Sequence, residues 1–137
     1  MIRIESLHHV SIPVTDLDRS KKFYSEVLCL QEIERPPFNF PGAWYQVGEG
    51  HIHLIVHTKS TFREGKELDS RDIHFAIRTK SYNKTRMHLH SKGYSPDPAN
   101  PLMKLKESPN ATAGFPQLYI MDPDRNVIEL NAEKLDE

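Results

Sequence analysis

Four stretches of the chain alternate apolar and polar residues with period two, the mark of strands buried on one face. In the first, Val10, Ile12 and Val14 share one side, and His9, Ser11 and Pro13 the other. In the second, Ile52, Leu54 and Val56 oppose His51, His53, Ile55 and His57. The third sets Ile73, Phe75 and Ile77 against His74, Ala76 and Arg78, and the fourth sets Ile128 and Leu130 against Val127, Glu129 and Asn131. Each strand therefore pairs an apolar face with one carrying a potential metal ligand.

Helices are predicted after the first and third strands. Asp16 can cap one that begins near Leu17 and carries the stripe Phe23, Tyr24, Val27 and Leu28. Ser81 can cap a second, running to about Ser91 and closed by Gly93. Ala43–Val47 and Gln117–Met121 read as further strands. Glu49-Gly50 and Asp122-Pro123-Asp124-Arg125-Asn126 make each the first arm of a hairpin. Pro36-Pro37 and the Pro96–Pro109 stretch read as loops. The order is strand, helix, two or three strands, then the same again. His9 aligns with His74, Ile12 with Ile77 and Ser20 with Thr85. Ile52-His53-Leu54 aligns with Ile128-Glu129-Leu130 after a longer gap that falls in the proline-rich stretch. The pattern is a tandem duplication of a βαβββ unit, an α+β fold with repeats at about 5–60 and 70–133 of a single domain, 1–137.

Composition narrows the function more by exclusion than by assertion. The 137 residues suit one domain or two small similar halves, and 37% hydrophobic with 27% charged residues is a globular profile. Eighteen basic residues nearly balance nineteen acidic ones, so there is no basic footprint for nucleic acid. No apolar run is long enough to cross a bilayer, which argues against a membrane role. The start, Met1-Ile2-Arg3-Ile4-Glu5, lacks an apolar signal core, so a cytoplasmic protein is expected, in which the sequons at Asn83 and Asn110 stay silent. The single cysteine, Cys29, excludes an internal disulfide and is expected to be an inert buried thiol.

Eight histidines are many for a chain this short, and their placement carries the chemistry. The duplication sets His9 and His74 on the leading strands and His53 and Glu129 on the closing ones, all on the parity opposite the apolar faces. One such histidine alone is more often solvated than a ligand. Four donors matched by repeat and by parity make a credible divalent-metal set. Imidazole and carboxylate together suit Zn, Fe, Ni, Co or Mn better than Ca or Mg. His51 and His57 share the parity of His53 and are its rivals. His8 has the wrong parity and is expected at solvent or a helix edge, and His88 and His90 on the surface of the second helix. Ser11 and Arg78 share the inward parity and are candidates for substrate binding, Arg78 as a cationic clamp for a carboxylate or phosphate. Trp44 and Tyr45, beside Gly42, could line a pocket, and Phe38 and Phe40 could form a lid or a dimer contact. The chain has no zincin helix, phosphate-cradling glycine loop or Gly-x-Ser-x-Gly elbow.

The run His9-Val10-Ser11-Ile12-Pro13-Val14-Thr15-Asp16-Leu17-Asp18-Arg19-Ser20, followed by Phe23-Tyr24 and Val27-Leu28, resembles the vicinal oxygen chelate superfamily. Gly42-Ala43-Trp44, Ile52-His53-Leu54, His74-Phe75-Ala76, Asp122-Pro123-Asp124 and Ile128-Glu129-Leu130 extend the resemblance over nearly the whole chain. That superfamily includes glyoxalase I, fosfomycin-modifying thiol transferases, methylmalonyl-CoA epimerase and extradiol dioxygenases. The resemblance implies paired βαβββ modules forming an open half-barrel around a metal, commonly in a homodimer. It puts His9, His74 and Glu129 on the shared ligand positions. His53 falls where bacterial-type glyoxalase I has a glutamate, which leaves Glu129 as the one carboxylate base and leaves open whether His53 is itself a ligand.

The leading expectation is a metal-dependent lyase or isomerase of glyoxalase type, acting on a small oxygenated metabolite or its adduct with a low-molecular-weight thiol. Bidentate chelation would stabilise an anion while Glu129 moves a proton. An Fe(II) dioxygenase would use His9, His74 and Glu129 alone. A fosfomycin-type thiol transferase would need cations such as Lys104 and Lys106 around the substrate. A drug- or metabolite-binding protein without turnover would have less use for the four donors.

Overall fold

A computed structural model describes residues 1–57 and 63–137; positions 58–60, at the end of the first expected repeat, lie outside the described residues. The chain divides into two compact units, Met1–Ser60 and Thr61–Glu137.

The first unit runs β1 (His9–Val14), α1 (Leu17–Lys22), a π-helical turn (Phe23–Val27), β2 (Gln31–Ile33), β3 (Gly42–Val47) and β4 (Gly50–Val56). Asp16 starts α1 as expected. Its backbone is extended, and its side chain accepts from the Arg19 amide at 3.1 Å, satisfying one of the orphan donors of the first turn. Past Lys22 the helix widens, and the Leu28 amide reaches the Phe23 carbonyl at 3.1 Å, one residue further back than an α-helix allows. The π turn keeps both Phe23 and Tyr24 buried. Cys29 then takes a left-handed backbone (φ 56°) that ends the helix. Its thiol is exposed, which corrects the expectation of a buried one: the reversal turns residue 29 away from the stripe that precedes it.

In the sheet of this unit the strand order is β1-β4-β3-β2, with β1 parallel to β4 and the remaining pairs antiparallel. Ile12, Val14, Ala43, Tyr45, Ile52 and Leu54 form the buried face, and the Tyr24 ring lies 5.9 Å from that of Tyr45. His9, Ser11, His53 and Trp44 share the other face, with Ser11 paired to His53 and His53 to Trp44 across the strands.

The second unit repeats the plan as β5 (His74–Arg78), α2 (Tyr82–Ser91), a 3-10 turn (Pro101–Met103), β6 (Lys106–Ser108), β7 (Gln117–Met121) and β8 (Val127–Asn131). Its order, β5-β8-β7-β6, matches that of the first unit strand for strand. Glu129 pairs with Ala76, the third residue of β5, just as His53 pairs with Ser11, the third residue of β1. The Asp122 carboxylate accepts from the amides of Asp124 (2.9 Å) and Asn126 (2.8 Å), which closes the β7–β8 hairpin with Arg125 at φ 69°. The proline-rich stretch, expected to be irregular, holds the 3-10 turn and β6, and a bridge between Ser95 and Lys104 anchors it.

Ser81 caps α2 by accepting from the Lys84 amide at 3.1 Å. Its hydroxyl also donates to Asp136, which takes the Tyr82 amide at 3.1 Å as well. Ser81→Ala removes both contacts and is expected to cost about 1–2 kcal/mol, read as a lower urea midpoint. Among the described residues, no helix is long and apolar enough to cross a membrane.

Candidate functional site

In the first unit the alternation of β1 and β4 brings the imidazoles of His9 and His53 into a stack, with centroids 4.2 Å apart and planes within 18°. Trp44 covers the other face of His53, with centroids 3.9 Å apart and ring planes parallel to within 4°. His53 is only 7% exposed. Two further rings crowd this pair. His8 Nδ1 lies 2.8 Å from His9 Nδ1, and His51 Nδ1 lies 3.3 Å from His53 Nε2. His8 is exposed, as expected, and its ring also meets His9 and sits 5.5 Å from His51.

Burial first, and then the neighbouring His9, His51 and His8 rings and the Arg35 guanidinium, bring the His53 pKa down to about 4. The ring is therefore neutral and able to donate a lone pair. The folded value is below the ordinary 6.5, so between the two the unfolded chain binds the proton more readily. Stability due to His53 is complete above 6.5 and falls as pH drops toward 4. For metal-stripped protein the expected loss across that window is at most about 3 kcal/mol. Urea unfolding followed by Trp44 fluorescence checks it, and His53→Gln should flatten the slope.

Trp44 continues outward to an exposed aromatic pair, with Phe38 6.2 Å from it and stacked on Phe40 at 5.1 Å. The Arg35 guanidinium carbon lies 4.8 Å from the Phe38 centroid and 4.9 Å from that of Phe40. Tyr45 belongs to the opposite, helix-covered face, so it does not line this surface with Trp44.

In the second unit His74 and Glu129 meet, with Nε2 3.4 Å from Oε1. His74 Nδ1 is 2.8 Å from the Asp72 carbonyl. A carbonyl only accepts, so Nδ1 donates there, which leaves Nε2 as the nitrogen that faces Glu129. A ring nitrogen this close to a carboxylate oxygen is bridged by a positive charge, a proton on Nε2 or a metal ion in its place. This donor set, an imidazole with its outer nitrogen fixed beside a carboxylate only 4% exposed, fits a divalent transition ion.

Glu129 is held by three residues that are not ligand types. Tyr119 donates its hydroxyl to Oε1 at 2.8 Å, Gln117 its amide to the same oxygen at 3.3 Å, and Asn131 its amide to Oε2. Burial, and then the hydrogen bond to Glu129 and its charge, push the Tyr119 pKa up to about 12, so the phenol stays a donor. The signal was in the alternation: Gln117 and Tyr119 on β7 share the Glu129 face, and Asn131 lies two residues beyond it. Part of that face is core, for Leu68 and Leu102 pack on Tyr119, Met121 and Val127.

The other expected residues divide in the same way. Ser11 is exposed beside His53. Arg78 is exposed, but its Nε donates to Asn131 Oδ1 at 2.6 Å and its guanidinium carbon lies 5.0 Å from the Phe115 centroid. Lys104 donates to the Pro96 carbonyl, and Lys106 donates to Ser70 Oγ at 2.7 Å. His90 pairs with Glu107 at 2.7 Å, tying α2 to β6. Among the described residues, no three histidine, cysteine, aspartate or glutamate side chains are gathered in a geometry that could hold a metal ion. What the structure brings together is His9 with His53, and His74 with Glu129.

Two four-stranded mixed sheets of identical order, each with ligand-type side chains on one face, define an α+β protein of the vicinal oxygen chelate kind. The model of the Glyoxalase/Bleomycin resistance protein/Dioxygenase superfamily matches residues 6–130, and the chain belongs to that family. It is 30% identical over 132 residues to Glyoxylase I 4 of Arabidopsis thaliana, covering 94% of this chain and 71% of that one. Among solved structures it is similar to FosX, the genomically encoded fosfomycin resistance protein of Listeria monocytogenes, with a TM-score of 0.69, 18% identity and 95% and 94% of the two chains covered. It is also similar to lactoylglutathione lyase of Agrobacterium tumefaciens, with a TM-score of 0.66, 15% identity and 94% of each chain covered. At these identities the likenesses establish the fold.

Proposed function

We propose that the protein is a metal-dependent lyase or isomerase of glyoxalase type, acting on a small oxygenated metabolite or its thiol adduct. The observation that carries the reading is the 3.4 Å approach of His74 Nε2 to the buried Glu129 Oε1, with Nδ1 of the histidine already committed to a carbonyl. His74 and Glu129, with His9 and His53 as the other candidate ligands, would hold an ion of Zn, Ni, Fe, Co or Mn. The ion would supply the positive charge that polarises adjacent substrate oxygens. Glu129, as the carboxylate of the set, would also take the substrate proton. Trp44 offers an apolar wall and Ser11 a hydroxyl to the substrate.

One observation favours a narrower ligand set. His53 is sandwiched between His9 and Trp44, and its Nε2 lies against His51, so it has partners without an ion. His9, His74 and Glu129 alone would suit Fe(II) and an extradiol-type dioxygenase.

Elemental analysis of protein purified without added metal, with its oligomeric mass, is the test. One ion per site, lost in His74→Ala, is the expected result. Turnover of a methylglyoxal–thiol adduct supports the isomerase, and ferrous-dependent oxygen uptake with a catechol the alternative. No bound metal and no turnover with any added ion would overturn both.

A further inference from the structure

We infer that Tyr119, Asn131 and, acting through Asn131, Arg78 are positioning residues that hold the Glu129 carboxylate in one orientation with Oε1 turned to His74. The inference rests on the reading of His74 and Glu129 as metal ligands and adds who sets their geometry.

Strand register builds the arrangement. Glu129 sits on β8 between Ala76 of β5 and Tyr119 of β7. Ala76 is too small to crowd the carboxylate, so the neighbouring donors decide where it points. Tyr119 lies directly across and takes Oε1 at 2.8 Å. Asn131 is the next residue of β8 on the same face, with Arg78 paired to it on one side and Gln117 on the other. An amide can be placed either way round, with oxygen and nitrogen exchanged. Here Arg78 Nε, a donor only, takes the oxygen end at 2.6 Å and so turns the NH2 end of Asn131 to Glu129 Oε2. The Phe115 ring under the guanidinium steadies the arginine.

The two carboxylate oxygens are therefore held by different partners. A glutamate side chain otherwise carries substantial rotamer entropy, which a ligand must lose on binding an ion. In this chain the folded sheet has already restricted it. The arrangement also changes the expectation for Arg78. Its Nε is engaged with Asn131, so a side-on clamp through Nε is already occupied, and the arginine reaches Glu129 through the amide.

The test is cobalt(II) affinity by chelator competition, with the visible spectrum of the bound ion, on Tyr119→Phe, Asn131→Leu, Arg78→Met and the Asn131→Leu/Arg78→Met pair, and Glu129→Ala as reference. Tyr119→Phe and Asn131→Leu are expected to weaken binding about 10- to 100-fold and to alter the spectrum. Arg78→Met should weaken it about tenfold alone and add nothing in the Asn131→Leu background, the mark of one pathway. Arg78 is exposed, so this variant stays informative should the buried substitutions fail to fold. Wild-type affinity and spectrum in Arg78→Met, or additive effects in the pair, would overturn the part played by Arg78. Wild-type affinity in Tyr119→Phe and Asn131→Leu, with binding lost in Glu129→Ala, would overturn the positioning role alone. Undiminished affinity in Glu129→Ala would overturn the ligand reading on which it stands.

Discussion

Glu129→Gln is expected to lower metal affinity about a hundredfold or more and to destabilise the metal-free protein as well. Both effects follow from counting acceptors. The carboxylate offers two oxygens, one to Tyr119 and Gln117, the other to Asn131. Glutamine keeps the shape but has one oxygen. With its oxygen toward Tyr119 the NH2 group faces the NH2 of Asn131; turned round, it faces the NH2 of Gln117 and a Tyr119 hydroxyl that must change from donor to acceptor. Leaving one such group unsatisfied costs about 1–3 kcal/mol. For a chain of this size that is several degrees in thermal midpoint. The ion loses its anionic ligand at the same time, so metal-dependent turnover falls with affinity. Metal content, chelator competition and a thermal scan of the stripped protein read the three effects separately. Full metal content with full activity would remove Glu129 from the site.

Gly42→Ala is expected to be the most damaging single-methyl change in the first unit. Gly42 opens β3, and a Cβ there would sit 2.3 Å from the Leu54 carbonyl oxygen and 3.0 Å from an Arg35 guanidinium nitrogen. The arginine can move, but the carbonyl belongs to β4, held by strands on both sides. The backbones have to part, at a cost of about 2–3 kcal/mol. Trp44, two residues along on the same face, would shift with β3 and leave its stack on His53. A thermal midpoint lower by about 10 °C, with altered Trp44 fluorescence in the folded state, is the expected result. A midpoint within a degree of the parent would mean that the strands absorb the methyl.

The duplicated architecture was legible because period-two alternation is strong where one sheet face is buried. It located β1, β4, β5 and β8, the turn signals at Glu49-Gly50 and Asp122–Asn126 marked β3 and β7 as hairpin arms, and the capping residues Asp16 and Ser81 located both helices. β2 and β6 escaped because three residues are too few for a period, and tertiary pairing rather than composition makes them strands. The π turn escaped for a similar reason. Its extra residue is imposed by burying Phe23 and Tyr24 together, which no propensity foretells. Donor parity was readable one strand at a time, and the pairs His9–His53 and His74–Glu129 follow from it. The scaffold around Glu129 was less readable. Tyr, Gln and Asn are ordinary strand-face residues until register sets them beside a carboxylate. Cys29 shows the opposite limit, since a helix stripe projected one residue too far predicts burial that a left-handed reversal cancels.

The brevity of β2 and β6 has a consequence for the protein at high concentration. A sheet border is a template on which a foreign strand can add and fibres can grow. Three residues provide too little backbone to recruit one, and these two of the four borders carry charge, Glu32 paired with Lys21 at 3.0 Å on one and Lys106 on the other. Replacing Pro36-Pro37 with β-branched residues, so that β2 could lengthen, should raise the rate at which the protein seeds aggregates above that of the parent.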